Sequence, residues 1–131
     1  MNFNNTTSIV KDLSFKKKAR SKIMKGVDKL AKAVSSTLGA GGKCVIYEDS
    51  MGRPVITKDG VTVAESVVLF DPVENIGATL IKEAASNTVD EAGDGTTTAT
   101  ILAHAVLKEY NSYKGWQDTR QIIRGIDYSL E

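Results

Sequence analysis

Gly93–Asp94–Gly95–Thr96–Thr97–Thr98–Ala99–Thr100 sets one carboxylate between two glycines, follows it with hydroxyls, and opens onto a helical apolar pattern at Ile101. Glycine lets a backbone approach a ligand closely. A helix N-terminus presents N–H groups without internal acceptors together with partial positive charge, a combination that suits phosphate. Asp94 can cap the helix, or hold a hard cation such as magnesium through oxygen. Successive β-branched threonines are a poor helix start on propensity alone. Taken by itself the octapeptide reads as a capped helix after a glycine turn. The segments around it strengthen the nucleotide reading.

The chain has 131 residues, enough for one domain with a real core. Its apolar and charged fractions are ordinary for a soluble globular protein. Its apolar runs are too short to span a bilayer, and MNFNNTTSIVKD lacks the apolar region of a signal peptide, which makes the cytoplasm the expected compartment and a membrane an unexpected partner. The lone Cys44 lies in the apolar run Cys44–Val45–Ile46–Tyr47 and is expected to be a packed strand residue, not a nucleophile. The net charge of +1 hides an asymmetry: residues 1–32 carry nine Lys/Arg against Asp12 and Asp28. Few aromatics interleave with those bases and the opposite face is apolar, so a solvated helix face is expected before a nucleic-acid surface.

Outward from the octapeptide, apolar positions Ala19, Ile23, Val27, Leu30, Val34 and Leu38 predict a helix over Ser14–Leu38, with Gly39 at its C′ position. Lys43–Tyr47 and Pro54–Thr57 read as two strands of a hairpin about Asp49–Ser50–Met51–Gly52. Val61–Leu69 is ambiguous between strand and short helix. Asp71–Pro72–Val73–Glu74 is a helix start with Asp at N-cap, Pro at N1 and Glu at N3. Ile76, Leu80, Ile81, Ala84, Ala85 and Val89 carry that helix to about Glu91. Another follows from the threonines through Ile101, Leu102, Ala105 and Val106 to about Tyr110. The last starts near Asp118, with Ile122, Ile123, Ile126 and Leu130 on one face. The fold class expected is mainly α with one small β-hairpin. The apolar face running to the last residues predicts a continuation of the chain.

Three loops stand out at element ends: Thr37–Leu38–Gly39–Ala40–Gly41–Gly42–Lys43, Thr57–Lys58–Asp59–Gly60–Val61–Thr62, and Gly93–Thr100. The first offers exposed backbone, the second a cation beside a carboxylate, the third a carboxylate with phosphate-binding donors. Neither a P-loop nor a dinucleotide fingerprint is present. In this order and spacing, together with Ile56–Ala64, Glu74–Asn75–Ile76–Gly77–Ala78 and Arg124–Gly125–Ile126–Asp127, they resemble the N-terminal equatorial segment of the group I chaperonins, the GroEL/Hsp60 family. The resemblance covers most of the chain and points to a divergent or virus-encoded member.

That resemblance implies an equatorial-domain-like fold over residues 1–131, with the intermediate and apical domains absent. It implies an ATP-dependent folding machine as the complete form, with ATP, Mg²⁺ and K⁺ as cofactors. The implied partners are further copies in a heptamer-like ring, unfolded polypeptides and a co-chaperonin lid, and no nucleic acid. Thr37, Leu38, Gly39 and Ala40 would line the nucleotide, Thr37 also helping to place the monovalent cation. Lys58 would sit by the phosphates, and Asp94 would coordinate magnesium. Gly95, Thr96, Thr97 and Thr98 would hold phosphate oxygens. Asp59 would lie near the γ-phosphate and orient water or metal, the catalytic assignment. Ile9–Phe15 resembles the family's short first strand, which takes part in ring contacts. Positioning and charge neutralisation dominate such chemistry.

Ala40–Gly41 replaces the family's usual Pro-Lys, loosening the loop and removing a charge that Lys43 partly restores. Asn111–Asp118 also departs from the family's turn. The implied second catalytic aspartate and the adenine-side wall belong to segments beyond Glu131, so the isolated chain is expected to bind nucleotide weakly and turn it over negligibly. The alternative is a truncated, non-enzymatic module that keeps ring contact or weak nucleotide binding only. His104 has no second ligand candidate and is expected to be a core or surface residue. Met24 and Met51 read as packing and turn residues, and Trp116, Tyr110 and Tyr113 as a local hydrophobic patch.

Overall fold

The computed structural model describes residues 16–93, 95–112 and 118–130. The order of elements is α1 (Lys16–Ser35), β1 (Val45–Glu48), β2 (Pro54–Thr57), α2 (Gly60–Ser66), α3 (Pro72–Ala92), α4 (Thr96–Ser112) and α5 (Thr119–Leu130). The expected mainly helical class with one hairpin is what the chain adopts. The strands pair antiparallel in the register Val45↔Thr57, Ile46↔Ile56, Tyr47↔Val55, Glu48↔Pro54. The ambiguous Val61–Leu69 stretch is helical to Ser66 because Asp59 caps it. Ile9–Phe15, Trp116 and Tyr113 lie outside the described residues.

The core is a layer of α1, α2 and α3 with α4 laid against it. Val27, Leu30 and Val34 from α1 meet Val63 and Ala64 from α2 and Ala78 and Ile81 from α3. Two glycines make this packing close. A Cβ on Gly26 would fall 1.8 Å from the Glu74 carbonyl oxygen, and one on Gly77 would fall 2.1 Å from that of Ile23. Each helix thus lays a bare α-carbon on the other's backbone. Lys22 to Asp71 and Lys29 to Glu74, each 2.5 Å, border the crossing. Asp71 accepts from the N–H groups of Val73 and Glu74 at 2.9 and 3.1 Å, the expected N-cap. Glu74 reaches Lys29 and does not close a capping box.

Two expectations, for Cys44 and for the end of α1, need correction, while α3, α4 and α5 form where expected. Cys44 is exposed and precedes β1, which begins at Val45 and turns only Val45 and Tyr47 inward. Helix α1 ends at Ser35, so Leu38 is exposed and Gly39, at φ +73°, lies beyond the C′ position. On α3 the inward stripe is Val73, Ala78, Ile81 and Ala85, while Ile76, Leu80 and Ala84 face outward. On α4 the buried residue is Thr100, and Leu102, Ala105 and Val106 are exposed. Helix α5 buries none of its described residues. Among the described residues no helix is long and apolar enough to cross a membrane.

Candidate functional site

Each of the three loops joins a helix within one turn of a core residue. After α1, Thr37 donates its backbone N–H and hydroxyl to the Val34 carbonyl at 3.1 and 2.7 Å. Lys43 N–H returns to the Ser36 carbonyl at 2.8 Å and Gly42 N–H to that of Gly39 at 3.0 Å, closing Thr37–Lys43 into a compact loop. Gly42 is required there, since a Cβ would fall 2.3 Å from the Thr37 carbonyl oxygen. Leu38, Gly39 and Ala40 are exposed on its outer side.

Asp59 is the N-cap of α2. Its Oδ2 accepts the Thr62 N–H at 2.8 Å and the Thr62 hydroxyl at 2.5 Å, and Oδ1 accepts the Val61 N–H at 3.4 Å. The Thr62 hydroxyl first, and then the backbone N–H groups, hold the carboxyl below the usual aspartate range. Asp59 is therefore an exposed, fixed anion whose Oδ1 is only weakly engaged. Lys58 beside it is exposed, and its ammonium makes no ion pair among the described residues.

Gly95, at φ +97°, takes a backbone conformation that favours glycine and leads into α4. Ala99 N–H to the Gly95 carbonyl, 2.8 Å, is the first bond of the helix. Thr96, Thr97 and Thr98 fill the first turn, where backbone N–H groups have no intrahelical acceptor. Thr100, fully buried, donates to the Thr96 carbonyl at 2.8 Å and fixes this turn to the core. Asp94 lies outside the described residues.

The loops converge on Gly60. A Cβ there would fall 2.0 Å from Thr97 Oγ1 and 3.1 Å from Thr37 Oγ1. The structure thus brings Thr37, the Asp59–Gly60 corner and Thr97 to one place, whereas Leu38 and Ala40 are exposed. Hydroxyls, first-turn N–H groups and the nearby lysine form a donor set for phosphate, and an ionised carboxylate suits a hard cation. Beside α2 a cavity of about 510 Å³ is lined by Glu48, Asp49 and Glu65 with Tyr47, Thr62 and Val68. Its carboxylates disfavour a phosphate chain there.

Sequence reasoning missed Thr62 and the packing role of Gly60. The Asp-Gly-x-Thr pattern, an N-cap with a hydroxyl three residues on, was the available signal for Thr62. It also missed Lys82, which donates to the Val67 carbonyl at 2.6 Å and the Glu65 carbonyl at 3.3 Å, closing the far end of α2. Burial lowers its pKa. His104 Nε2 bonds Asp28 Oδ1 at 2.7 Å, tying α4 to α1. Among the described residues no group of three His, Cys, Asp or Glu could hold a metal. Tyr110 lies under the Arg20 guanidinium, 5.0 Å from ring centroid to carbon, and meets the Thr119 hydroxyl at 3.1 Å.

Residues 30–131 match the model of the TCP-1/cpn60 chaperonin family, and the chain belongs to that family. It is similar to the chaperonin gp146 of bacteriophage EL 2 (Pseudomonas aeruginosa), crystallised in the presence of ATP-BeFx in two forms. For crystal form II the TM-score is 0.72 at 35% identity, covering 82% of this chain and 20% of that one. For crystal form I it is 0.68 at 35% identity, covering 76% and 18%. The chain therefore spans about a fifth of the length of the relatives it matches.

Proposed function

We propose that this chain is the N-terminal part of the equatorial, ATP-binding domain of a chaperonin subunit, an ATP-driven protein-folding machine that works as a ring of copies. The observation that carries the reading is the meeting of Thr37, Asp59–Gly60 and Thr97, residues far apart in sequence and drawn together at one buried glycine. The relatives crystallised with ATP-BeFx support a nucleotide as the ligand.

In this reading the first turn of α4 and its threonines take phosphate oxygens, Lys58 neutralises their charge, and the Thr37–Ala40 backbone lines the nucleotide. Bound magnesium would be held by Asp94 and would neutralise charge developing on the phosphates. Asp59 stays ionised and orients the attacking water. Segments outside the matched fifth complete the pocket and supply the second carboxylate, so this chain alone binds Mg-ATP weakly and scarcely hydrolyses it. Unfolded polypeptides are the substrates, and the cytoplasm is the place of action.

The test is titration of Mg-ATP into the complete product of the native gene, with and without EDTA. Binding that needs magnesium and weakens by roughly tenfold or more in Lys58→Ala and Thr97→Ala supports the reading. Absence of binding, or binding indifferent to both substitutions, refutes it.

A further inference from the structure

Gly60 is the first residue of α2, is buried, and has no positive φ. Its backbone is therefore one that alanine also adopts, and alanine is the better helix former. Nothing about the turn requires glycine. What requires it is space: the Thr97 hydroxyl occupies the volume of a side chain at 60, with Oγ1 2.0 Å and Cβ 3.2 Å from where a Cβ would stand. The Thr37 hydroxyl closes in from another loop at 3.1 Å.

We infer that Gly60 is a positioning residue of the nucleotide site, its bare α-carbon fixing the Thr97 hydroxyl against the start of α2. This rests on the functional reading above. Thr37 cannot yield easily, because its hydroxyl is bonded to the Val34 carbonyl at 2.7 Å. Val34 is itself fully buried. A methyl group at 60 therefore acts on Thr97 in one of two ways. Either its hydroxyl rotates to another χ1 well, or the start of α4 withdraws from α2. Both remove the Thr97 oxygen from its place. Neither disturbs Asp59, whose carboxylate is bound within α2 to Thr62. The residue thus sets how closely the first turn of α4 approaches the start of α2.

The experiment is a double-substitution cycle on the complete gene product, reading Mg-ATP affinity beside thermal unfolding. Gly60→Ala is expected to weaken binding by about tenfold to a hundredfold, the scale of a misplaced site group. In a Thr97→Ala background, where the obstructing oxygen is gone, Gly60→Ala is expected to change the affinity little further. A Thr97→Ser background keeps that oxygen, and there the loss should persist. Equal effects of Gly60→Ala in all three backgrounds, or an unchanged affinity in the single variant, overturn the inference while the unsubstituted protein still binds. If the unsubstituted protein binds no Mg-ATP, the functional reading and this inference fall together. Should Gly60→Ala alone not fold, the pair with Thr97→Ala carries the test: a folded double variant with the affinity of Thr97→Ala supports it, and one that remains unfolded overturns it.

Discussion

Replacing Gly77 by alanine tests the crossing of α1 and α3. In an exposed helix interior this change stabilises by about 1 kcal/mol. Here the added Cβ would stand 2.1 Å from the Ile23 carbonyl oxygen and 2.9 Å from its carbon. Close carbon–oxygen contacts in helix packing are about 3.3 Å, so the helices must part by roughly 1.2 Å. The opposing atoms are backbone and cannot rotate away. A gap of about 1 Å forfeits a quarter to a half of the dispersion between facing atoms. Val27 and Leu30 would lose that share against Ala78 and Ile81. Overpacking of this kind costs about 3 kcal/mol at the upper end of its usual range, leaving a net loss near 2 kcal/mol. At roughly 4 °C per kcal/mol for a chain of this size, the melting temperature falls by about 8 °C. Gly26→Ala, with 1.8 Å to the Glu74 carbonyl, should cost at least as much, and the double variant less than the sum because the helices are already apart. The control is Gly125→Ala in α5, where a Cβ meets nothing within 4 Å. It should raise α5 helicity and leave the core transition unmoved. Thermal unfolding by circular dichroism reads the core, and Cα chemical shifts read α5. A Gly77→Ala protein as stable as the unsubstituted one would refute the reasoning.

Asp59→Asn should keep α2 capped and move the melting temperature little, since asparagine caps as well as aspartate, while Asp59→Ala loses about 1 kcal/mol; ATP turnover by the complete gene product should fall in both, and turnover equal to wild type in Asp59→Asn sinks its catalytic assignment. Asp71 beside Lys22, Asp49 under the Arg53 N–H and Asp59 under the Thr62 hydroxyl are all held below the ordinary carboxylate value. Their stabilisation is complete above that unfolded value and is lost as pH falls through the folded one. The melting temperature should therefore be level from about pH 7 to about pH 5 and drop below about pH 4. Lys22→Met should flatten the acid side of a melting-temperature profile, and an unaltered profile counts against the Asp71 pairing. Lys82→Met removes both bonds to the Glu65 and Val67 carbonyls at the end of α2 and should cost about 1 kcal/mol. Amide exchange should quicken first at Ala64–Ser66, and unchanged protection there argues against the clamp.

What was legible in the sequence was local. Asp71–Pro72 marks a helix start by side-chain capping and a fixed φ, both properties of adjacent residues, and the helix begins there. Pro54–Thr57 is bounded by a turn on one side and Lys58–Asp59–Gly60 on the other, and it is a strand as expected. The three loops of the candidate site stand out in the sequence as glycine and hydroxyl clusters at element ends. What was not legible depends on which distant surface a residue meets. Ile76 and Leu80 share an apolar stripe with Ala84, yet α1 selects the neighbouring stripe through Gly77, Ala78 and Ile81, because only there can backbones touch. Thr100 reads as part of a polar run and is fully buried, its hydroxyl satisfied within its own helix. Cys44 shares an apolar run with Val45, but β1 begins only at Val45 and leaves it exposed before the strand.

The site is held by the core at very short range. Thr37 follows buried Val34 by three residues, Gly60 precedes buried Val63 by three, and Thr97 precedes buried Thr100 by three. One helical turn thus separates each site group from a side chain packed in the interior. The Thr37 hydroxyl returns to the last turn of α1 and that of Thr100 to the first turn of α4, strengthening that link. A core substitution should therefore reach the site without touching it. Val63→Ala removes two methyl groups from a side chain that is 1% exposed and should cost about 2 kcal/mol or somewhat more. Partial collapse into the space would draw α2 inward and carry Gly60 away from Thr97. If the three loops are positioned by packing, Val63→Ala weakens Mg-ATP binding in the folded protein, whereas Val68→Ala, on an exposed side chain four residues past Ala64, does not. Equal affinity in both variants would mean that the loops hold their own geometry and that the core supplies stability alone.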